Sequence, residues 1–326
     1  GGLLTPYGRS LEREDLSTTG RGSGNTREHE FLFGVLGGSL GKLSLGVEFR
    51  PAKLRLDFEG GSLDRRFLMN TDITAAYRSG LWTAYAEAGR QGRTGSPAYK
   101  SFEHWIAYQK EAGLGVRAGR FLPAFGVRVA DHTAFTRTPL GFNTSDQLYA
   151  LEVSHVSERR LLQVSIGPGR ADSLTSDDGS ASTTLTARLQ LDLGATKAIV
   201  VSGMRRGEAD FAVAESVASL AFGIAPTRRL SVWTEANARS IDGVEGTSYV
   251  LANETSFEAY RGVWLKVTPQ FRTTPGDSGG GTWRTALALD LLPRAHWKVG
   301  LSYYRDKDRR SGQVTKTLLA QLFLHL

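Results

Sequence analysis

From Thr184 to Leu193 every second residue is apolar. Leu185, Ala187, Leu189, Leu191 and Leu193 alternate with Thr184, Thr186, Arg188, Gln190 and Asp192. Side chains on an extended strand point to opposite faces in turn, so this segment has one greasy and one wet face. The alternation recurs in residues 43–50, 54–59, 230–235 and 283–291. Several segments hold it for about nine to eleven residues, the length of a tilted strand crossing a bilayer. Strands of soluble domains are closer to about five or six residues.

The connections sort into two classes. Short turns are expected near residues 50–53, 78–80, 111–112, 154–157, 194–196, 224–228, 257–261 and 293–295. Between them lie longer loops rich in Gly, Ser and Asp, near 60–66, 90–101, 120–146, 168–181, 206–210, 240–246, 273–280 and 305–313. With a tight first hairpin at 38–41, the pattern predicts about 18 strands (in the range 16–18) between Glu30 and Leu326. Short turns alternating with long loops point to an all-β fold, a transmembrane antiparallel up-and-down β-barrel. An even count puts both ends on one side, expected to be the periplasm. Residues 1–28 are polar and aperiodic, an N-terminal periplasmic segment or plug, and residues 29–326 form the barrel.

Composition removes the competing classes. No stretch approaches the ~18 apolar residues of a spanning helix. The chain has no Cys, which excludes a disulfide, a thiolate metal site and a thioether-linked haem. The formal charge is +7, but 40 Lys and Arg are scattered among 33 acids without a basic run. That is no nucleic-acid footprint. Tyr77 and Trp82, Tyr260 and Trp264, and Trp297 flank short turns, while Trp283, Tyr303 and Tyr304 adjoin long loops. Amphipathic rings gather at both water–lipid boundaries of such barrels.

The longest loop, 120–146, carries Arg120, Arg128, Asp131, His132 and Arg137 together with Phe121, Phe125 and Phe135. A loop of this length in a barrel is expected to fold inward as a constriction, where arginines favour anions. Parity assigns Arg117, Arg188, Asp192, Lys266, Arg284 and Asp290 to the lumen, with Glu48, Arg55, Asp57, Glu235 and Lys298. Gly113, Gly115 and Gly119, with Ala286, Ala288 and Gly300, present bare backbone to the same face. They are expected to contact a plug or a partner chain. Asp131-His132 with Ser145 offers an acid–imidazole–hydroxyl set, but neither G-x-S-x-G nor H-E-x-x-H occurs. Asp172, Asp177 and Asp178 read as a solvated acidic loop. Neither catalysis, nor a metal, nor a cofactor is expected.

Gly119-Arg120-Phe121-Leu122-Pro123-Ala124-Phe125-Gly126 resembles the G-x-F-x-P-x-F-G stretch of phosphate-selective-porin-like barrels, which likewise leaves a strand for a long loop. Residues 318–326 resemble the final-strand signal read by the barrel assembly machinery, with Leu326 where such strands end in an aromatic residue. The lysine ladder of phosphate-selective porins is not evident, so phosphate selectivity does not follow. A looser resemblance is to the barrels of porin–cytochrome conduits. These resemblances imply a bacterial outer-membrane location. The expected partners are the bilayer and its lipopolysaccharide, the assembly machinery, and a periplasmic or extracellular protein. The polar lumen and the arginine-bearing loop point to a porin-type channel for small hydrophilic solutes, anions among them, or alternatively to a barrel that sheathes or anchors a partner such as a multihaem cytochrome conduit or a surface apparatus.

Overall fold

The structure, a computed structural model, describes residues 42–325 apart from 92–99, 111, 128–132, 138–139, 141, 143–145, 169–182, 208–212, 274–279 and 295–296. Sixteen antiparallel strands close into one barrel. They are β1 (Leu43–Phe58), β2 (Gly61–Ser79), β3 (Trp82–Gln91), β4 (Lys100–Gln109), β5 (Gly113–Phe121), β6 (Leu148–Val156), β7 (Arg160–Pro168) and β8 (Thr183–Asp192). The circuit continues with β9 (Lys197–Arg206), β10 (Glu215–Thr227), β11 (Leu230–Ile241), β12 (Ser248–Tyr260), β13 (Val263–Arg272), β14 (Thr282–Arg294), β15 (Trp297–Asp308) and β16 (Val314–His325). Each strand pairs with its sequence neighbours, and β16 returns to β1 through pairs from Glu48↔His325 to Asp57↔Lys316. Closure leaves no unpaired sheet edge, which a medium without water requires.

The wall is inside out. On β8 the wet set Thr184, Thr186, Arg188, Gln190 and Asp192 is buried inside, while Leu185 is exposed outside. Around the barrel the outward apolar side chains are the accessible ones, up to 62% for Ile73. An apolar belt of this extent is stable only against lipid. Tyr77, Trp82, Tyr260 and Trp297 are exposed beside the short turns, and Tyr249 and Trp283 beside the long loops. Trp264 and Tyr304 instead face inward, opposite Asp290 and Ala286 respectively.

The two rims differ. One carries the connections 80–81, 110–112, 157–159, 193–196, 228–229, 261–262 and 295–296, together with the start of β1 and the end of β16. The other carries 92–99, 122–147, 169–182, 207–214, 242–247, 273–281 and 309–313, and the tight turn 59–60.

The barrel has sixteen strands, the lower end of the expected range; one strand fewer arises because β1 runs unbroken through the turn expected at 50–53, opposite a bulge on β2. β1 runs straight through Pro51, and its partner on β2 steps from Asn70 to Leu68, leaving Met69 as the extra residue. Proline, with no N–H to give, sits at such an irregularity. The hairpin at 38–41, the strand near Glu30 and the segment 1–28 lie outside the described residues. Continuity of β1 also corrects its faces. Leu45, Val47 and Phe49 face lipid, but beyond Pro51 the apolar set is on the inside. There Ala52 and Leu54 pack with Phe67, Met69, Ala286, Tyr304 and Leu319. Arg55 and Asp57, expected in the lumen, lie on the outer face and pair with each other at 3.3 Å. A strand keeps its alternation, so the change of apolar parity marks a change of surroundings. By Lys53 the outer face has left the apolar belt.

Candidate functional site: the lumen and the loop folded into it

β5 ends inside the barrel at Phe121, which is wholly buried beneath the Arg117 guanidinium, 3.8 Å from its ring centroid. The chain then crosses the interior to the opposite wall. Gly126 takes a left-handed φ of 51°, and a Cβ there would collide with the Glu235 carboxylate. Its N–H donates to Ser202 Oγ (3.0 Å) and its carbonyl accepts from Arg188 Nε (3.1 Å). The Val127 N–H donates to Glu235 Oε2 (3.3 Å) and the Phe135 N–H to Gln270 Oε1 (2.7 Å). Arg284 Nη1 donates to the Thr133 carbonyl (2.7 Å). The anchors therefore come from β8, β9, β11, β13 and β14.

Apolar packing supplies most of the attachment. Phe125, Phe135, Leu140 and Phe142 of the loop meet Met204, Val217 and Val250 of the wall. Val127 and Ala134 meet Val200 and Ala221, with Trp233 alongside. Phe125 and Phe142 stack at 4.0 Å, and Phe135 lies between the Arg272 and Arg284 guanidiniums at 4.6 and 4.4 Å. Burial of each Phe is worth about 1.5–3 kcal/mol, against about 1 kcal/mol net per hydrogen bond. The hydrogen bonds fix position, because a buried Arg188 or Glu235 without its partners costs more than the bond gains.

Of the loop's predicted charged residues, the two described, Arg120 and Arg137, do not line a path. Arg137 is buried within the loop, with its Nε on the Phe142 carbonyl (3.5 Å). Arg120 falls on the outward parity, directly opposite His104 and Tyr149, whose Nε2 and hydroxyl lie 2.9 Å apart. Phe121 takes the inward position that Arg120 would have needed. Arg128, Asp131 and His132 lie outside the described residues.

The wall residues do face inward, in two sectors. Beneath the loop, Arg188 bonds Gln163 (3.2 Å) and Gln190 (3.0 Å), and Gln190 bonds Asp192 (3.0 Å). Arg188, Gln190 and Asp192 are buried, and Gln163 is half-buried. The other sector meets water. Lys266 and Lys298 share the single carboxylate of Asp290 at 2.8 and 3.1 Å, and keep 24% and 25% exposure against its 11%. Arg117 pairs with Glu152 (3.0 Å) and is likewise the more exposed partner. Arg284 grips Asp306 through two bonds of 2.7 Å. Glu48 faces Arg50, and both stay partly exposed.

The glycines answer to their own neighbours. A Cβ at Gly119 (φ 135°) would strike the His104 carbonyl and the Trp105 backbone, so this position lets β4 approach closely. At Gly115 the space is filled by the side chains of Gln109 and Ser154, and Gly113 (φ 107°) opens the strand from its turn. Gly115 and Gly119 are thus filled by their own neighbours, whereas at Gly113 only Lys110 Cδ comes within 4.0 Å.

The apolar floor under the loop escaped parity reasoning, yet its signal was present. In Ala198, Ile199, Val200 and Val201 both faces are apolar, as in a strand covered on both sides.

No family profile and no curated protein matches the sequence. Solved structures do. Pseudomonas putida OprB, determined at high pH, superposes with a TM-score of 0.70 at 9% identity, over 93% of this chain and 98% of that one. An anion-selective porin from Comamonas acidovorans gives 0.67 at 10% identity, over 87% and 99%. The outer-membrane channel DcaP of Acinetobacter baumannii gives 0.61 at 12%, over 87% and 97%. The shared feature is the fold, the closed antiparallel barrel of bacterial outer-membrane porins.

Proposed function

We propose that the chain is an outer-membrane channel of porin type for small hydrophilic solutes, narrowed by residues 122–147. The observation that carries this reading is the asymmetry of the lumen. The loop covers the inner face of β8–β11 and reaches β13 and β14 at Gln270 and Arg284, while Arg50, Arg117, Lys266 and Lys298 elsewhere on the wall remain in contact with water. A barrel built to sheath a partner needs its wall free, and here the chain's own loop covers that wall. The short-turn rim, with both ends of the barrel, faces the periplasm, as short turns do in such barrels. Selectivity leans toward anions because two ammoniums share one carboxylate at Asp290, a local surplus of positive charge beside the path.

The purified barrel in planar bilayers is expected to conduct by itself. Replacing Lys266 and Lys298 with Gln should lower the anion-to-cation permeability ratio read from the reversal potential. An unchanged ratio would remove these lysines from the path. A non-conducting barrel that copurifies with a second chain would favour the sheath instead.

A further inference from the structure

On the outer wall of β15 the column Trp297, Val299, Leu301 and Tyr303 is followed by Arg305 and Lys307. On β16, Leu324, Leu322, Ala320 and Leu318 are followed by Lys316. The columns are in register, with Tyr303 opposite Leu318 and Arg305 opposite Lys316. Across the closing seam Lys316 faces Asp57 and Leu318 faces Arg55, and on β2 Arg66 stands opposite Lys53. Among the described residues this patch holds six outward cations, Lys53, Arg55, Arg66, Arg305, Lys307 and Lys316, against the carboxylates of Asp57 and Asp64. Both acids are engaged, Asp57 by Arg55 and Asp64 by Lys53, each at 3.3 Å. Asp306, between the two β15 cations in sequence, points inward to Arg284.

Like charges directly opposite on neighbouring strands repel, and here two such pairs, Arg305 with Lys316 and Lys53 with Arg66, flank the Arg55–Asp57 pair. Such a surface is stable against an anion. Its height identifies which one. On β15 and β16 the cations begin one step above four apolar rows, about 20 Å along a tilted strand, and directly above the aromatic Tyr303, while on β1 Arg55 and Lys53 stand opposite the last two of those rows, Leu318 and Ala320. That is the level of the headgroups, where guanidinium and ammonium groups meet phosphate. We infer that this patch binds the phosphate groups of a lipid in the leaflet next to the long-loop rim. The inference needs only that lipid surrounds the wall, not that the lumen conducts.

The test uses the full chain refolded into phosphatidylcholine vesicles, with R305Q/K307Q/K316Q beside wild type and heat-modifiable gel mobility to show folding. Diphosphorylated lipid A is titrated into detergent-extracted barrel and bound lipid is counted by native mass spectrometry. Inorganic pyrophosphate serves as competitor. Wild type should retain the diphosphorylated lipid, and the triple variant should fold but bind it roughly a hundredfold more weakly, about a factor of five per basic residue removed. Pyrophosphate should compete poorly, since it lacks the acyl chains that meet the apolar rows. Equal binding by the folded variant overturns the proposal. So does competition by pyrophosphate as effective as by lipid, which marks a free-phosphate site, or capture of an acidic polypeptide in place of lipid. A wild-type chain that fails to enter vesicles overturns the membrane reading along with it, whereas insertion without preference for the phosphorylated lipid overturns the patch alone.

Discussion

Arg188 shows how one side chain can hold a loop. Its guanidinium is buried and spends three donors on the Gly126 carbonyl, Gln163 and Gln190. Arg188→Met is expected to strand the Gly126 carbonyl and loosen the loop by about 1–3 kcal/mol. Single-channel recordings should then show larger, noisier conductance from a barrel that still folds. Glu235 tests the same seat from the other side, since it accepts from Val127 N–H and Ser219 Oγ (3.0 Å). Glu235→Gln retains a carbonyl acceptor and should stay closer to wild type than Glu235→Leu, which retains none. If Arg188→Met and Glu235→Leu both conduct as wild type does, the loop is held by its phenylalanines alone.

At the scale of elements, β1 carries the clearest departure from parity reasoning. Read as two short strands, residues 43–50 and 54–59 each place their apolar set toward lipid. As one strand with a bulge opposite Pro51, the second set turns inward. Leu54→Asp should therefore lower the unfolding midpoint in denaturant, because it puts an unpaired carboxylate among Phe67, Met69, Tyr304 and Leu319. Arg55→Leu should change stability by no more than about 0.5 kcal/mol. The reverse order of effects would restore the turn at 50–53. The loop obeys the same physics. A connection of this length folds inward because its phenylalanines find apolar wall residues there, and its backbone groups find Ser202, Arg188, Gln270 and Arg284.

Over the whole molecule, closure and inversion belong together. The wall can be apolar outside and polar inside only because every strand has a partner and lipid replaces water around it. Leu189, outward between Leu162 and Val201, should cost about 2–4 kcal/mol as Arg near the bilayer midplane. Thr268→Arg, inward on the wet side of the lumen, should be mild. Reversible unfolding from vesicles measures both, and equal costs would argue against lipid on the outside. Gln190 is no suitable inward comparison, because it is buried in the Arg188–Gln190–Asp192 chain.

The sequence by itself determined the class of fold, the alternation of short and long rims and the inward facing of Arg117, Arg188, Asp192, Lys266, Arg284 and Asp290. Those properties follow from a period of two, which is local and survives any arrangement of the strands. It could not determine what stands opposite each inward side chain. That Lys266 and Lys298 share Asp290, that Arg137 is consumed inside the loop and that Arg120 turns outward depend on register and on the path of 122–147. Pairing joins residues far apart in the chain, such as Lys53 and Ala320, and no window along the sequence holds both. A change of surroundings along one strand is equally silent, since the switch of apolar parity after Pro51 left β1 looking like two strands. Only the closed tertiary structure decided which side of the lumen is sealed, because the loop's apolar residues choose the wall that complements them once the barrel exists.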